Sequence, residues 1–241
     1  MTQSAAAPAM PTGTARLASL QAGRGLAAFY VLLFHAEVIL RLSFPEAAQA
    51  PVFFAGGHAG VQFFFVLSGF IMGHIHRNDL GRAGAFQPYL VARFIRIYPP
   101  FWCVLAALVA MQIVMGRLES VLQGNPLAWV QAFLLFPFEG APPLTAAWTL
   151  SHEILFYLIF GLCILLGRAG MLVFAVWMLT CLGSFVLSDA SAFPLSFLVS
   201  TNNLLFGIGL LAAFLFGTGS IAGNRLVLAL TLVSPRPGYA P

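Results

Sequence analysis

The chain has no lysine and little charge of either sign. Charged residues make up 7% of its 241 positions, against about 25% in soluble globular domains. Eleven arginines and seven acidic residues are too few to clothe a water-soluble fold of this length. Cysteine is scarce as well. Cys103, Cys163 and Cys181 all fall in apolar stretches, where they read as small buried hydrophobes and not as a disulfide or metal set. Strand-like alternation is missing, which excludes a barrel whose segments alternate over about ten residues. The first fifteen residues carry no basic group, so they do not read as a cleaved signal peptide. Residues 1–19 are expected to form a disordered cytoplasmic tail. His58, His74 and His76 show no HxxxH spacing and carboxylates are few, so no metal site is expected.

What is present is apolar sequence. Hydrophobic residues make up 60% of the chain, and its mean hydropathy is +0.93. The bilayer is therefore the solvent, and the fold class is all-α: a polytopic transmembrane helix bundle. At about 20 apolar residues per span, the chain holds seven or eight helices. Spans are expected at 25–40, 52–75, 99–115, 148–166, 171–187 and 193–216, with an incomplete last stretch at 221–233. The piece at 126–138 is short for a span and suits a re-entrant segment. A tail at 234–241 is broken by prolines.

The arginines gather beside these runs, as the positive-inside rule would place them. The net charge of +4 therefore points to topology and lipid headgroups, not to nucleic acid. The loop expected at 76–96 is the most basic, so it and the N-terminus are expected on the cytoplasmic side of a bacterial inner membrane. Arg168 depends on the short piece: it joins that side only if 126–138 does not cross.

Four groups of residues carry chemistry. Arg24 and His35 lie eleven positions apart in the first run. On a helix that spacing returns to within about 20° of one face and separates the two by about 16 Å. Ionisable groups at membrane depth usually line a cavity or pathway, and a histidine can take and return a proton near neutral pH. The competing reading is a packing histidine bonded to a backbone carbonyl. Glu37 sits on another face and would reach the interface. Arg93 and Arg96, at i and i+3, suit a diphosphate if their segment is helical; otherwise they are topology and headgroup contacts. In WTLSHEILFY, Glu153 interrupts an apolar run, with Tyr157 one turn on. A carboxylate there must be paired, protonated or facing water. His152, about 100° away, need not act with it. Ser68 and Gly69 in the second run read as close helix packing. Asn202 and Asn203 interrupt the run at 193–216 and need internal partners.

Together these segments resemble one family, the acyltransferase type 3 family of membrane enzymes. LQAGRGLAAFYVLLFHA is similar to its first helix, with Arg24, Gly25 and His35 at the family's basic-residue, glycine and histidine positions. GVQFFFVLSGFIM resembles its second-helix signature, with Gln62 where an aspartate is common. RFIRIYPPFW resembles its paired-arginine segment. WTLSHEILFY resembles its Trp-Ser-Leu-Ser-x-Glu segment, with Thr149 for serine. The four occur in the family's order over about residues 20–160, within an acyltransferase domain drawn at 20–233. The leading Leu-Gln-x-x-Arg run resembles the exopolysaccharide-acetylating branch. The family core has about ten helices, so this chain reads as a short or truncated form.

The resemblance implies transfer of an acyl group, usually acetyl, from cytoplasmic acyl-coenzyme A to a hydroxyl of a carbohydrate or lipid-linked glycan. His35 would deprotonate that hydroxyl or carry the acyl group. Arg24, Arg93 and Arg96 would hold the coenzyme's phosphates. Glu153 would orient His35 or stabilise its imidazolium. A proton-coupled transporter or flippase, and an inactive remnant, are the alternative readings.

Overall fold

The structure, a computed structural model, describes residues 13–44, 54–116, 126–137, 144, 147–187 and 192–217. Every regular element among them is helical. Among the described residues five helical segments are long and apolar enough to cross a membrane, the last running over 195–215. The expected last stretch at 221–233 and the tail at 234–241 lie outside the described residues. The chain divides into two compact units, 1–64 with 231–241, and 65–230.

In the first unit, α1 (Gly13–Ser43) begins inside the stretch expected to be a tail, so residues 13–19 are helical; residues 1–12 lie outside the described residues. A 3-10 turn (Ala55–His58) leads into α2 (Ala59–Ile75). Two devices hold the turn against α1. A Cβ on Gly57 would lie 2.3 Å from Phe34 Cβ, so only glycine permits this approach. Glu37 does not simply reach outward. Its Oε1 accepts from Arg41 at 2.7 Å and its Oε2 from the Phe54 N–H at 2.7 Å.

In the second unit α2 ends at Ile75, and a turn at 76–82 leads into α3 (Ala83–Val114). This corrects the expected loop at 76–96. Pro88, Pro99 and Pro100 all lie inside α3. Prolines and arginines argue for a boundary in water, but in membrane helices neighbouring groups re-satisfy the freed carbonyls. Tyr89, Ile97, Phe101 and Leu105 are the buried positions of α3. Their spacing of four, with position 93 filling the gap, is one helical stripe. That stripe packs on α5 (Ala147–Leu166).

The short piece is α4 (Pro126–Leu134), about 14 Å long at 1.5 Å per residue and too short to cross about 30 Å of hydrocarbon. Its last carbonyls are met from α3: Tyr98 OH donates to Leu134 O at 3.0 Å, and Trp102 Nε1–H to Phe133 O at 2.9 Å. Non-helical backbone at membrane depth needs such partners. α6 (Arg168–Leu187) follows α5 through Gly167. The Gly81 N–H donates to Cys163 O at 3.2 Å, and a Cβ on Gly81 would lie 3.4 Å from the Gly167 Cα. Arg168 therefore lies at the same end as Arg77 and Arg82, as a non-crossing α4 requires.

A short helix α7 (Leu195–Leu198) precedes α8 (Asn202–Gly217). α8 packs along α2 with backbone nearly touching backbone. A Cβ on Gly69 would lie 2.1 Å from Phe206 O, and one on Gly209 1.9 Å from Val66 O. Close approach of this kind is how membrane helices associate without a hydrophobic drive. Phe156, Phe160, Phe206, Met72 and Ile164 fill the core beside it. Cys163 and Cys181 are buried as expected, but Cys103 is exposed.

Candidate active site

Two groups of residues stand out, one in each unit. In the first, α1 carries both Arg24 and His35 on continuous helix, so the shared-face geometry expected from their spacing holds. Arg24 is half-buried and His35 exposed. His35 Nδ1 lies 2.8 Å from Val31 O. A carbonyl only accepts, so Nδ1 carries the proton and Nε2 is the basic nitrogen of the neutral ring. The carbonyl bond of the packing reading is thus present, and it leaves Nε2 available for chemistry.

In the second unit, Arg93 occupies the buried stripe of α3 and is half-buried, whereas Arg96, one turn on, is exposed. The two differ in exposure, yet both guanidinium charges act on the Tyr157 hydroxyl. The Arg93 guanidinium lies over two phenol rings, 5.7 Å from the Tyr89 centroid and 5.5 Å from that of Tyr157. Such contacts contribute about 0.5–2 kcal/mol each. Arg93 Nη2 donates to His76 Nε2 at 3.4 Å, and the His76 Nδ1–H donates to Asp79 Oδ2 at 2.8 Å. Tyr89 OH donates to the Tyr157 carbonyl at 2.9 Å, which fixes the Tyr89 ring. Arg93 Nε is buried with no hydrogen-bond partner. Among the described residues no carboxylate pairs with Arg93. The site therefore holds a half-buried cation with no carboxylate partner among the described residues, and its Nε is both unpaired and closed to solvent.

Glu153 lies on the other side of Tyr157. Its Oε1 accepts from Tyr157 OH at 2.5 Å, the expected i, i+4 pair, and from Ser68 Oγ at 3.2 Å. His152 turns elsewhere. Its Nδ1 meets Asn203 Oδ1 at 2.8 Å, and its ring stacks on Phe197 at 4.3 Å. Asn203 Nδ2 donates in turn to Phe197 O and Leu198 O at 3.1 and 3.0 Å. The internal partners that Asn203 needs are thus the backbone break before α8 and His152. A cavity of about 570 Å³ opens at the basic end, within the range of about 300–1,000 Å³ usual for ligand pockets. Arg77 and Asn78 stand among otherwise apolar walls, and Phe160, also in its wall, faces His76 at 6.4 Å.

Sequence reasoning singles out Arg24, His35, Arg93, Arg96 and Glu153 but not three neighbours that the structure places beside Arg93 and Glu153. His76 read as a span-end histidine, Ser68 as packing, and Tyr89 was not singled out. Tyr89 had a signal, since it lies four residues before Arg93. His76 and Ser68 reach their partners across 17 and 85 positions of chain, which no local pattern records.

These observations define a helical membrane protein with a half-buried arginine set over two tyrosines beside a carboxylate. A family model described as "Acyltransferase domain" matches residues 17–233, and the chain belongs to that family of membrane acyltransferases. It is also 34% identical over 127 residues to the exopolysaccharide production protein ExoZ of Rhizobium meliloti (strain 1021). That alignment covers 49% of this chain and 38% of the relative. No solved structure matches the chain.

Proposed function

We propose that the protein is an O-acyltransferase of the bacterial inner membrane. It moves an acyl group, acetyl in the simplest case, from cytoplasmic acyl-coenzyme A to a hydroxyl of an exported or lipid-linked glycan. The observation that carries this reading is Arg93: a half-buried cation held over two tyrosine rings with no carboxylate partner among the described residues. Phosphate supplies the missing charge and accepts from a guanidinium in fork geometry. Arg96 and Arg24 serve the same coenzyme. Its entry is from the end that carries Arg77, Arg82 and Arg168, the cytoplasmic end by the charge rule, where the cavity beside Arg77 suits its uncharged arm. The ExoZ likeness supports a polysaccharide acceptor.

In the reaction, His35 Nε2 takes the proton of the sugar hydroxyl. The oxygen attacks the thioester carbonyl carbon, the carbon–sulfur bond breaks, and the coenzyme thiolate leaves and receives that proton. Glu153 is the carboxylate of the reaction. The test follows labelled acetyl-coenzyme A in membranes containing the protein, with alkali-deacylated exopolysaccharide as acceptor. Label should enter the polysaccharide as alkali-labile ester. Incorporation no greater than in membranes lacking the protein would overturn the reading.

A further inference from the structure

Glu153 uses its two oxygens unequally. Oε1 receives both the Tyr157 hydroxyl and the Ser68 hydroxyl. Oε2 has no partner among the described residues of the second unit. The one buried, unpartnered side-chain nitrogen or oxygen among the described residues is Arg93 Nε, so Oε2 retains access to open space. Two donors from two helices on one oxygen fix the plane of the carboxylate. They leave the other oxygen presented at a set angle.

We propose that Oε2 of Glu153 is the hydrogen-bond acceptor for a hydroxyl of the carbohydrate acceptor, and that Ser68 and Tyr157 are positioning residues that aim it. The inference rests on the acyltransfer reading and deepens it, since it assigns the sugar side of the site. A carboxylate can only accept, so it selects a partner rich in donors. A glycan offers hydroxyls. Acyl-coenzyme A offers anionic phosphates, which a carboxylate repels, and Arg93 already suits those. Tyr157 thus stands between two subsites. Its hydroxyl serves Glu153, its ring serves Arg93, and its carbonyl holds Tyr89.

That division makes Tyr157→Phe a selective probe, because the ring and carbonyl survive and only the hydroxyl is lost. With acetyl-coenzyme A and alkali-deacylated exopolysaccharide fragments, Tyr157→Phe should raise the KM for the fragments about 10-fold or more, the loss for a charge-assisted hydrogen bond. The KM for acetyl-coenzyme A should move less than about twofold on the same argument. Ser68→Ala should show the same pattern more weakly, and Ser68→Thr should restore it. In a Glu153→Gln background, adding Tyr157→Phe should cost nothing further, since residues acting through one group are non-additive. A rise in the coenzyme KM, an equal loss in the Glu153→Gln background, or no effect would each overturn the proposal. A wild-type protein that transfers nothing overturns the acyltransfer reading itself, and this assignment falls with it. An active wild type with an unaffected Tyr157→Phe overturns only the assignment.

Discussion

Helix α1 and the α3–α5 pair carry the same kinds of residue in opposite settings. In α1, none of the most apolar window is buried, and His35 has one local bond, to the carbonyl four residues earlier. In α5, 44% of the corresponding window is buried, and Glu153 and Tyr157 are tied to α2 and α3. The difference separates two ways of preparing a functional group. The α1 histidine is set by its own helix, which fixes its tautomer and leaves Nε2 free. The arginine and the carboxylate are set by tertiary neighbours, which fix their orientation and leave one donor and one acceptor unmatched. The first arrangement tolerates change around it. The second does not.

The contrast can be broken most sharply at His35. Replacing it with alanine should lower acyl transfer by about 10²–10⁴-fold, the usual effect of losing a positioned acid–base group. The thermal midpoint in detergent should stay unchanged, because the lost bond is local. Full activity in that variant would remove His35 from the mechanism.

Asn203 belongs to the opposite setting. Asn203→Leu would leave the His152 Nδ1–H without its partner, while the Phe197 and Leu198 carbonyls keep the Ser200 N–H and the Trp177 Nε1–H. At about 1–3 kcal/mol for a buried group left unpaired, the thermal midpoint should fall clearly; an unshifted midpoint would mean that the break before α8 is held by other contacts.

Two glycines sharpen the same comparison at smaller scale. Gly209→Ala would drive a Cβ into Val66 O and should cost about 1–3 kcal/mol in overpacking. Gly25→Ala in α1 meets nothing within 4 Å. It should be neutral or stabilising by up to about 1 kcal/mol, the helix preference of alanine over glycine. Equal melting shifts in the two variants would erase the distinction between the helices.

The same distinction marks what the sequence discloses. Continuous apolar runs announce α5, α6 and α8, because a span needs length and hydrophobicity and nothing else. The Arg24–His35 spacing is legible because both residues lie on one helix. The shortness of 126–138 is legible but not whether it crosses, so the side of Arg168 is decided only by the packing of Gly81 against Gly167. The start of α3 is hidden because Arg93, Arg96 and three prolines mimic a water-exposed boundary; only the four-residue stripe from Tyr89 to Leu105 betrays the helix. The partners of Arg93 and Glu153 are hidden more deeply, since Ser68, His76 and Tyr89 come from separate elements. The unequal settings of Arg93 and Arg96 follow from the packing of α3 on α5, which charge patterning cannot supply.

The central claim is that Arg93 binds the coenzyme's phosphates, and the direct measurement is the KM for acetyl-coenzyme A in Arg93→Gln and Arg96→Gln membranes, side by side. Arg93 is half-buried and Arg96 exposed, and a charge-assisted bond away from water outweighs one at an exposed site. Arg93→Gln should raise the KM about 10- to 100-fold and Arg96→Gln by less than about fivefold. An unchanged KM in Arg93→Gln, or a larger rise in Arg96→Gln, would contradict the account.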